Sequence, residues 1–446
     1  MTTDQLTVAG TVIGPDDPTY DAARAVFLGG VDKRPALVVR AAGAADVAAV
    51  VAYARGTGMD LAVRSGGHTA FATNDGGIVL DLGDLDAIDI DTEARTAWIG
   101  PGATAAAVTS ALVARGLVIG FGDTGSVGVG GITLGGGVGY LVRKHGLTVD
   151  SLLAADIVTA DGVLRRVDAG HEPDLFWAIR GGGGNFGVAT RFLFRLHDLP
   201  PVVGGLLALP GTPDVIAGFV AAAQAAPEEL STIANVITAP PLPFLPPAVY
   251  GKPVLMAELV HVGDEADGQR VLDGFRALAT PYLDMTRHMP YSEIYPPDDP
   301  DYHPISVART LFVDDVDLPM ARTIVAHLEA SDAAPAIAQI RVLGGAMARV
   351  PADATAFAHR AQRVMVNVAA VFAATEDAPP HLAWVEAFKD ALQPVATGAY
   401  VNFLGEDGPD RLREAYPHGT WSRLREIKRR YDPTNLFRGN QNVSPG

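Results

Sequence analysis

GFGDTGSVGVGGITLGGGVG, residues 120–139, holds ten glycines in twenty positions. Glycine at that density costs backbone entropy and offers nothing to pack. A flexible linker of this kind would be polar and rich in serine. Here Val127, Val129, Ile132, Leu134 and Val138 interrupt the glycines, so the segment is expected to be buried. Buried glycine-rich backbone is either a cradle for something large or a place where chain packs tightly on chain.

A second block follows downstream. Gly181 to Gly184 run unbroken, and Gly182, Gly184 and Gly187 satisfy the GxGxxG spacing. A dinucleotide-binding βαβ unit needs a strand before that spacing and a helix after it. Residues 177–180 make a poor strand, and Val188, Thr190, Phe192 and Phe194 alternate as a strand does. The βαβ reading is therefore rejected, although such glycines still let backbone N–H groups approach an anionic pyrophosphate.

Around these blocks the first 200 residues alternate between short strands and helices. Strands are expected at 36–40, 61–64, 77–81, 97–100 and 192–196, and helices at 45–57 and 104–115. Residues 153–159 and 163–167 are expected to form a hairpin closed by Asp161-Gly162 as a type I′ turn. Pro200-Pro201 marks the clearest boundary. Beyond it, strands at 204–209, 233–238, 254–261, 337–343, 365–372 and 400–404 are interleaved with helices at 213–226, 266–278, 319–330 and 381–392. This reads as a mainly antiparallel sheet backed by helices on one face. A helix at 420–431, stopped by Pro433, leads into the terminal segment.

Composition narrows the function. Apolar residues make up 48% of the 446 and charged residues 19%, enough for large cores. The net charge of −17 argues against nucleic acid, which requires a basic surface. Arg423, Arg425, Lys428, Arg429 and Arg430 fit a solvated helix face. With no cysteine, disulfides, thiolate metal sites and cysteine nucleophiles are excluded, and no metal site is expected. No signal-peptide pattern or membrane-length apolar run is visible, which gives a cytoplasmic expectation without membrane association. The oligomeric state is not readable.

The decisive company for the glycine tracts is RSGGH, residues 64–68, at the end of an expected strand. With GDTGSVGVGGITLGGGVGYLVRKHGLTVD (122–150), DLFWAIRGGGGNFGVATRFLFRLH (174–197), RRYDPTNLFRGNQNVSP (429–445) and, less sharply, AYVNFLGED (399–407), it resembles the berberine-bridge-enzyme-like flavoprotein oxidases of the vanillyl-alcohol-oxidase superfamily. The resemblance implies an α+β fold: a two-subdomain PCMH-type FAD-binding domain over 1–201 and an antiparallel-sheet substrate domain over 202–407. A C-terminal segment, 408–446, would return to the FAD domain.

It also implies FAD bonded covalently to His68. Arg64, Ser65, Gly66 and Gly67 would cradle the diphosphate, and Gly128, Gly130, Gly131 and Gly135 would bring backbone against the cofactor. Thr69, Gly122, Asp123, Val127, Gly137, Leu141, Gly187, Val188, Tyr400, Asn440 and Asn442 complete the expected contacts. Many family members add a second bond through a cysteine three residues before a Val-Gly-x-Gly-Gly run. Thr124 stands there in this chain, so a doubly tethered flavin is chemically impossible.

On the substrate side, Tyr400 and Asn402 are two apart on an expected strand, as are Gln339 and Arg341, so each pair shares a face. Such faces line either a cavity or solvent. Tyr400 is the candidate base, with Arg341 as the cation to lower its pKa. Tyr140 and His145 are second-rank candidates, and Trp177 and Phe186 are assigned to the core. The leading expectation is an oxidase taking hydride from a small organic substrate and reducing dioxygen to hydrogen peroxide. A flavin monooxygenase and a non-catalytic metabolite binder are the alternatives.

Overall fold

The computed structural model describes residues 6–297, 299, 301–405 and 407–446. Asp298 and Pro300, within the acidic stretch 296–301, and Glu406, within the block 399–407, lie outside the described residues, as do residues 1–5.

Three sheets organise the chain. The first joins β1 (Thr11–Ile13), β2 (Leu37–Arg40), β3 (Leu61–Arg64) and β4 (Ile78–Asp81) in the order β1-β2-β4-β3. Its inner strands are parallel and read as continuous apolar runs because both faces are covered. α1 (Tyr20–Arg24) precedes β2. α2 (Ala44–Thr57) makes the crossover from β2 and ends at Gly58 with φ 71°, a left-handed cap that glycine adopts without strain.

The second sheet uses β5 (Ile88–Asp91) and β6 (Thr96–Ile99), then β8 (Leu152–Val158), β9 (Leu164–Asp168) and β10 (Val188–Arg195), all antiparallel in the order β5-β6-β10-β8-β9. A short ribbon pairs β7 (Leu117–Val118) with β11 (His197–Asp198). The β8–β9 hairpin forms, but not with the expected turn. Of the two turn residues only Gly162 has positive φ, and Thr159 N–H donates to Val163 C=O across a wider loop. A type I′ turn requires positive φ at both central residues.

Between these strands lie α3 (Ala105–Val113), α4 (Val129–Gly135), α5 (Val142–His145) and α6 (Pro173–Ala178). α6 occupies part of the segment that reads as a poor strand, and β10 follows the second glycine block where alternation places it.

The third sheet contains β12 (Val202–Pro210), β13 (Leu230–Thr238), β14 (Pro253–Val262), β15 (Leu283–Asp284), β16 (Arg287–His288), β17 (Ile305–Val313), β18 (Ala336–Val342), β19 (Val364–Phe372) and β20 (Ala396–Thr397). Its order is β15-β12-β14-β13-β18-β19-β17-β20, with β16 also on β12, and every pairing is antiparallel. α7 (Pro213–Ala225), α8 (Glu265–Arg276), α9 (Leu318–Glu329) and α11 (Ala378–Leu392) cover one face; α10 (Ala346–Arg349) lies outside that layer.

Ile216, Phe219, Phe275, Ile324, Val385 and Phe388 from those helices bury against Leu207, Leu255, Val236, Ile340, Val366 and Val368. Each such side chain contributes about 1.5–3 kcal/mol on burial. Because strand side chains alternate, residues 339, 341 and 367 are turned to the opposite face. α12 (Gly408–Ala415) and α13 (His418–Tyr431) follow, and the tail then runs back to the second glycine block. There Asn185 Nδ2 donates to Gln441 C=O at 3.0 Å and Val443 N–H donates to Asn185 Oδ1 at 2.8 Å. Among the described residues, no helix is long and apolar enough to cross a membrane.

Residues 400–404 depart from expectation. Val401–Phe403 is a single 3-10 turn, not a strand. Tyr400 and Asn402 meet all the same, because the tight turn folds the Asn402 amide back to donate to the Tyr400 hydroxyl oxygen at 3.0 Å.

Candidate functional site

β3 runs parallel to β4 and ends with Arg64 opposite Asp81, where the two form a buried ion pair at 2.8 Å. Gly67, at φ 72°, then turns the chain so that His68 lines a cavity of about 530 Å³. On another wall, Gly66 and Gly128 touch backbone to backbone; a Cβ on Gly66 would strike the Gly128 nitrogen. Gly131 differs: its missing Cβ would meet nothing within 4 Å, so its open side is cavity. The first glycine tract therefore serves both ends, locking RSGGH in place and leaving room for a ligand.

Of the sequence-derived residues, Ser65, Gly66, Gly67, His68, Thr69, Gly122, Asp123, Thr124, Val127, Gly128, Gly130, Gly131, Gly187, Val188, Gln339, Arg341, Tyr400, Asn402 and Asn440 line this one cavity. Others stand behind it. Gly135 supports Asn402, which a side chain on Gly135 would displace, and Gly137 N–H donates to the Tyr400 hydroxyl oxygen at 2.9 Å. Leu141 is fully buried in the core. Arg64 spends its guanidinium on Asp81 and on the carbonyls of Ala23 and Ala25, and it lines an outer cleft rather than the main cavity. Tyr140 is buried, and that burial, reinforced by the Asp123 carboxylate, holds its hydroxyl well above the ordinary tyrosine range. Trp177 and Phe186 are core residues.

The sheet wall carries a chain of polar contacts. Gln339 Nε2 donates to Asn235 Oδ1 at 3.1 Å, and Arg341 Nε donates to Gln339 Oε1 at 2.9 Å. Arg341 reaches the Val138 carbonyl at 2.8 Å and pairs with Asp123 at 2.6 Å, so it bridges the sheet to the glycine tract. Its charge is matched by Asp123; Arg341, the Gly137 N–H and the Asn402 amide all pull the Tyr400 hydroxyl down, but burial outweighs them and holds it above the ordinary tyrosine value.

Asn367 was missed. It sits in register with Gln339 on β19, lines the cavity and leaves its buried Oδ1 without a partner. A lone amide in the apolar run VMVNVAAVF is the same signal that singled out Gln339. Phe437 and Gln441 also reach the cavity from the tail.

His145 lies elsewhere. Its ring stacks on His197 at 4.1 Å and 15°, and His197 Nε2 contacts Ser151 Oγ at 3.0 Å. Burial, with His197 and Lys144 adding repulsion, lowers His145 to about 3. A base depressed in the fold from 6.5 is fully stabilising above that pH, and the contribution is lost as pH falls from 6.5 toward 3. Between pH 7 and 5 the loss is expected to be about 1 kcal/mol after discounting for partial exposure. Urea unfolding of His145→Phe, which keeps the stack but cannot titrate, should show a correspondingly flatter pH dependence.

The cavity suits a large planar cofactor with an anionic tail. Asn440 holds a buried Oδ1 with no partner, ready to accept a hydrogen bond, and Gly131 leaves open space where a side chain would intrude, whereas Asn442 does not line the cavity. Glycine-rich walls on one side and a polar sheet face on the other leave room for such a cofactor between them.

Comparison with known proteins agrees. A family model described as FAD binding domain matches residues 35–168, and one described as berberine and berberine like matches 399–444. (R)-6-hydroxynicotine oxidase of Paenarthrobacter nicotinovorans is 31% identical over 99% of this chain and 98% of its own. The crystal structure of 6-hydroxy-D-nicotine oxidase from Arthrobacter nicotinovorans superimposes with a TM-score of 0.88 at 28% identity, covering 100% of both chains. Chitooligosaccharide oxidase shares the fold, with a TM-score of 0.85 at 21% identity over 98% of this chain and 97% of that one. The chain belongs to the berberine-bridge-enzyme-like family of FAD-linked oxidoreductases and is an enzyme of that class.

Proposed function

We propose that the protein is an oxidase whose FAD is held by a single covalent bond to His68. It removes hydride from a carbon bearing a hydroxyl or amino group of a small substrate and yields hydrogen peroxide. The reading rests on one juxtaposition: His68, at the end of the parallel sheet, shares a cavity with Tyr400, Gln339, Asn367 and Arg341. When bound, FAD supplies a two-electron acceptor that dioxygen can reoxidise.

The chain's own groups do the rest. Ser65, Gly66, Gly67, Gly128, Gly131 and Asn440 hold the cofactor. Gln339 and Asn367 offer amides to orient the substrate, and Tyr400 Oη receives its hydroxyl or amine proton. Arg341 is neutralised by Asp123, and among the described residues no other Lys or Arg lines the cavity. A net-uncharged polar substrate therefore fits better than an anionic one. The nicotine-derived amine and the chitooligosaccharide in the relatives' names mark the range to screen.

Acid precipitation tests the tether. The wild-type pellet is expected to stay yellow and fluorescent, whereas His68→Ala releases its flavin to the supernatant. A wild-type protein that releases all its flavin sinks the covalent reading. Peroxide equimolar with oxidised substrate separates the oxidase from a monooxygenase.

A further inference from the structure

The segment that runs from α1 toward β2 is fastened to the RSGGH turn. Arg64 Nη1 donates to the Ala25 carbonyl at 3.1 Å, and Arg64 Nη2 donates to that of Ala23. Phe27 N–H donates to the Gly67 carbonyl at 2.9 Å. These bonds place the Phe27 ring on the imidazole of His68, with centroids 4.4 Å apart and planes 21° from parallel. His303 Nδ1 contacts the Phe27 carbonyl at 3.0 Å, and Tyr302 meets the ring edge-on at 6.2 Å, so Phe27 is held on three sides. Phe27 lines the outer cleft and not the main cavity, whereas His68 lines both. The phenyl ring therefore backs the imidazole on the side away from the main cavity.

We infer that Phe27 is the positioning residue for flavin attachment: its ring fixes the plane of the His68 imidazole and aims a ring nitrogen into the cavity. The inference rests on the histidyl link proposed above. In that attachment a bond forms between an imidazole nitrogen and the C8 methyl carbon. The nitrogen and the methyl each give up a proton, and two electrons enter the flavin ring, from which dioxygen, the oxidant of the proposed reaction, removes them. A single rotatable side chain gains rate from being held near its attack geometry. An imidazole with one face against a phenyl ring has lost most of its χ2 freedom. Sequence motifs give no hint of this, because residue 27 is 41 positions from the histidine and belongs to none of the matching blocks.

The test follows the appearance of acid-stable flavin when FAD is added to full-length protein produced under riboflavin limitation. Wild type, Phe27→Leu, Phe27→Tyr and His68→Ala are compared, with total bound flavin and thermal midpoint measured alongside. Phe27→Leu is expected to attach flavin about two- to ten-fold more slowly at unchanged total binding and midpoint, the factor an aromatic pair supports. Phe27→Tyr restores the rate. Phe27→Leu attaching at the wild-type rate overturns the inference and leaves the histidyl link standing. Should Phe27→Leu also lose total flavin or stability, Phe27→Tyr decides: normal attachment supports the stack, and equally slow attachment overturns it. Wild type that binds FAD without ever holding it through acid overturns both readings.

Discussion

Tyr400→Phe is expected to lower kcat by about 10²–10⁴-fold, the range for removing a positioned proton acceptor. The phenol oxygen already accepts from Gly137 N–H at 2.9 Å and from Asn402 Nδ2 at 3.0 Å. Both donors favour the anionic form, yet burial outweighs them and holds the hydroxyl above the ordinary tyrosine value. The sign follows. The reactive phenolate is the minor form at neutral pH, so kcat of the wild type rises with pH and levels off only above the ordinary tyrosine range. Phe removes that rising limb. It also leaves the buried Gly137 N–H without an acceptor, at a cost of about 1–3 kcal/mol in stability. Thermal melts read the stability cost; turnover at saturating substrate, using whichever amine, alcohol or sugar bleaches the wild-type flavin anaerobically, reads the catalytic one. A Phe variant with the wild-type rate and pH profile would remove Tyr400 from proton transfer.

What the sequence revealed, and what it hid, follows from which forces were local. The parallel strands β2, β3 and β4 are legible because burial on both faces leaves unbroken apolar runs. The glycine tract was legible as buried but not as containing α4. Each glycine costs a helix about 1 kcal/mol relative to alanine, so propensity argues against the helix that forms. What wins is packing: Gly130 lies where a Cβ would crowd Pro101 and Ser65, and Gly135 where it would strike Asn402. Those neighbours lie 29 to 267 positions away and leave no trace in a local window.

β17 was missed for a different reason. Its residues 307, 311 and 313 face the helices as an apolar set, but Arg309 interrupts them. That guanidinium reaches the Glu386 carboxylate of α11 at 2.7 Å, a partner 77 positions on. A charge on a core-facing position hides a strand from periodicity whenever its partner is distant. The site divides in the same way. Gln339 and Arg341 were placed on one face by alternation alone, whereas the commitment of Arg341 to Asp123 needed the glycine tract and the third sheet in one frame.

Lys428→Met is expected to destabilise the protein by about 3–5 kcal/mol, the range for orphaning one member of a buried ion pair. Lys428 and Asp432 are both fully buried, one helical turn apart at the end of α13, 2.7 Å from each other. Lys428 Nζ uses all three hydrogens, on Asp432 Oδ2, the Asn185 carbonyl at 2.8 Å and the Phe437 carbonyl at 2.9 Å. Asp432 in turn accepts from Leu436 N–H at 2.8 Å and Phe437 N–H at 2.9 Å. Burial pushes the ammonium down, with Asp432 partly offsetting it. The charged chain of the tail, read from sequence as a solvated face, thus contains one cation that is the fastening between α13, the second glycine block and the segment bearing Asn440 and Asn442. Because that segment lines the cofactor cavity, flavin retention should fall together with the urea midpoint. The double variant Lys428→Met/Asp432→Leu removes the orphaned carboxylate but strands the Leu436 and Phe437 amides, so it should recover only part of the loss. A single Lys428→Met protein that unfolds at the wild-type midpoint and keeps its flavin would show that the tail is held by its apolar contacts alone.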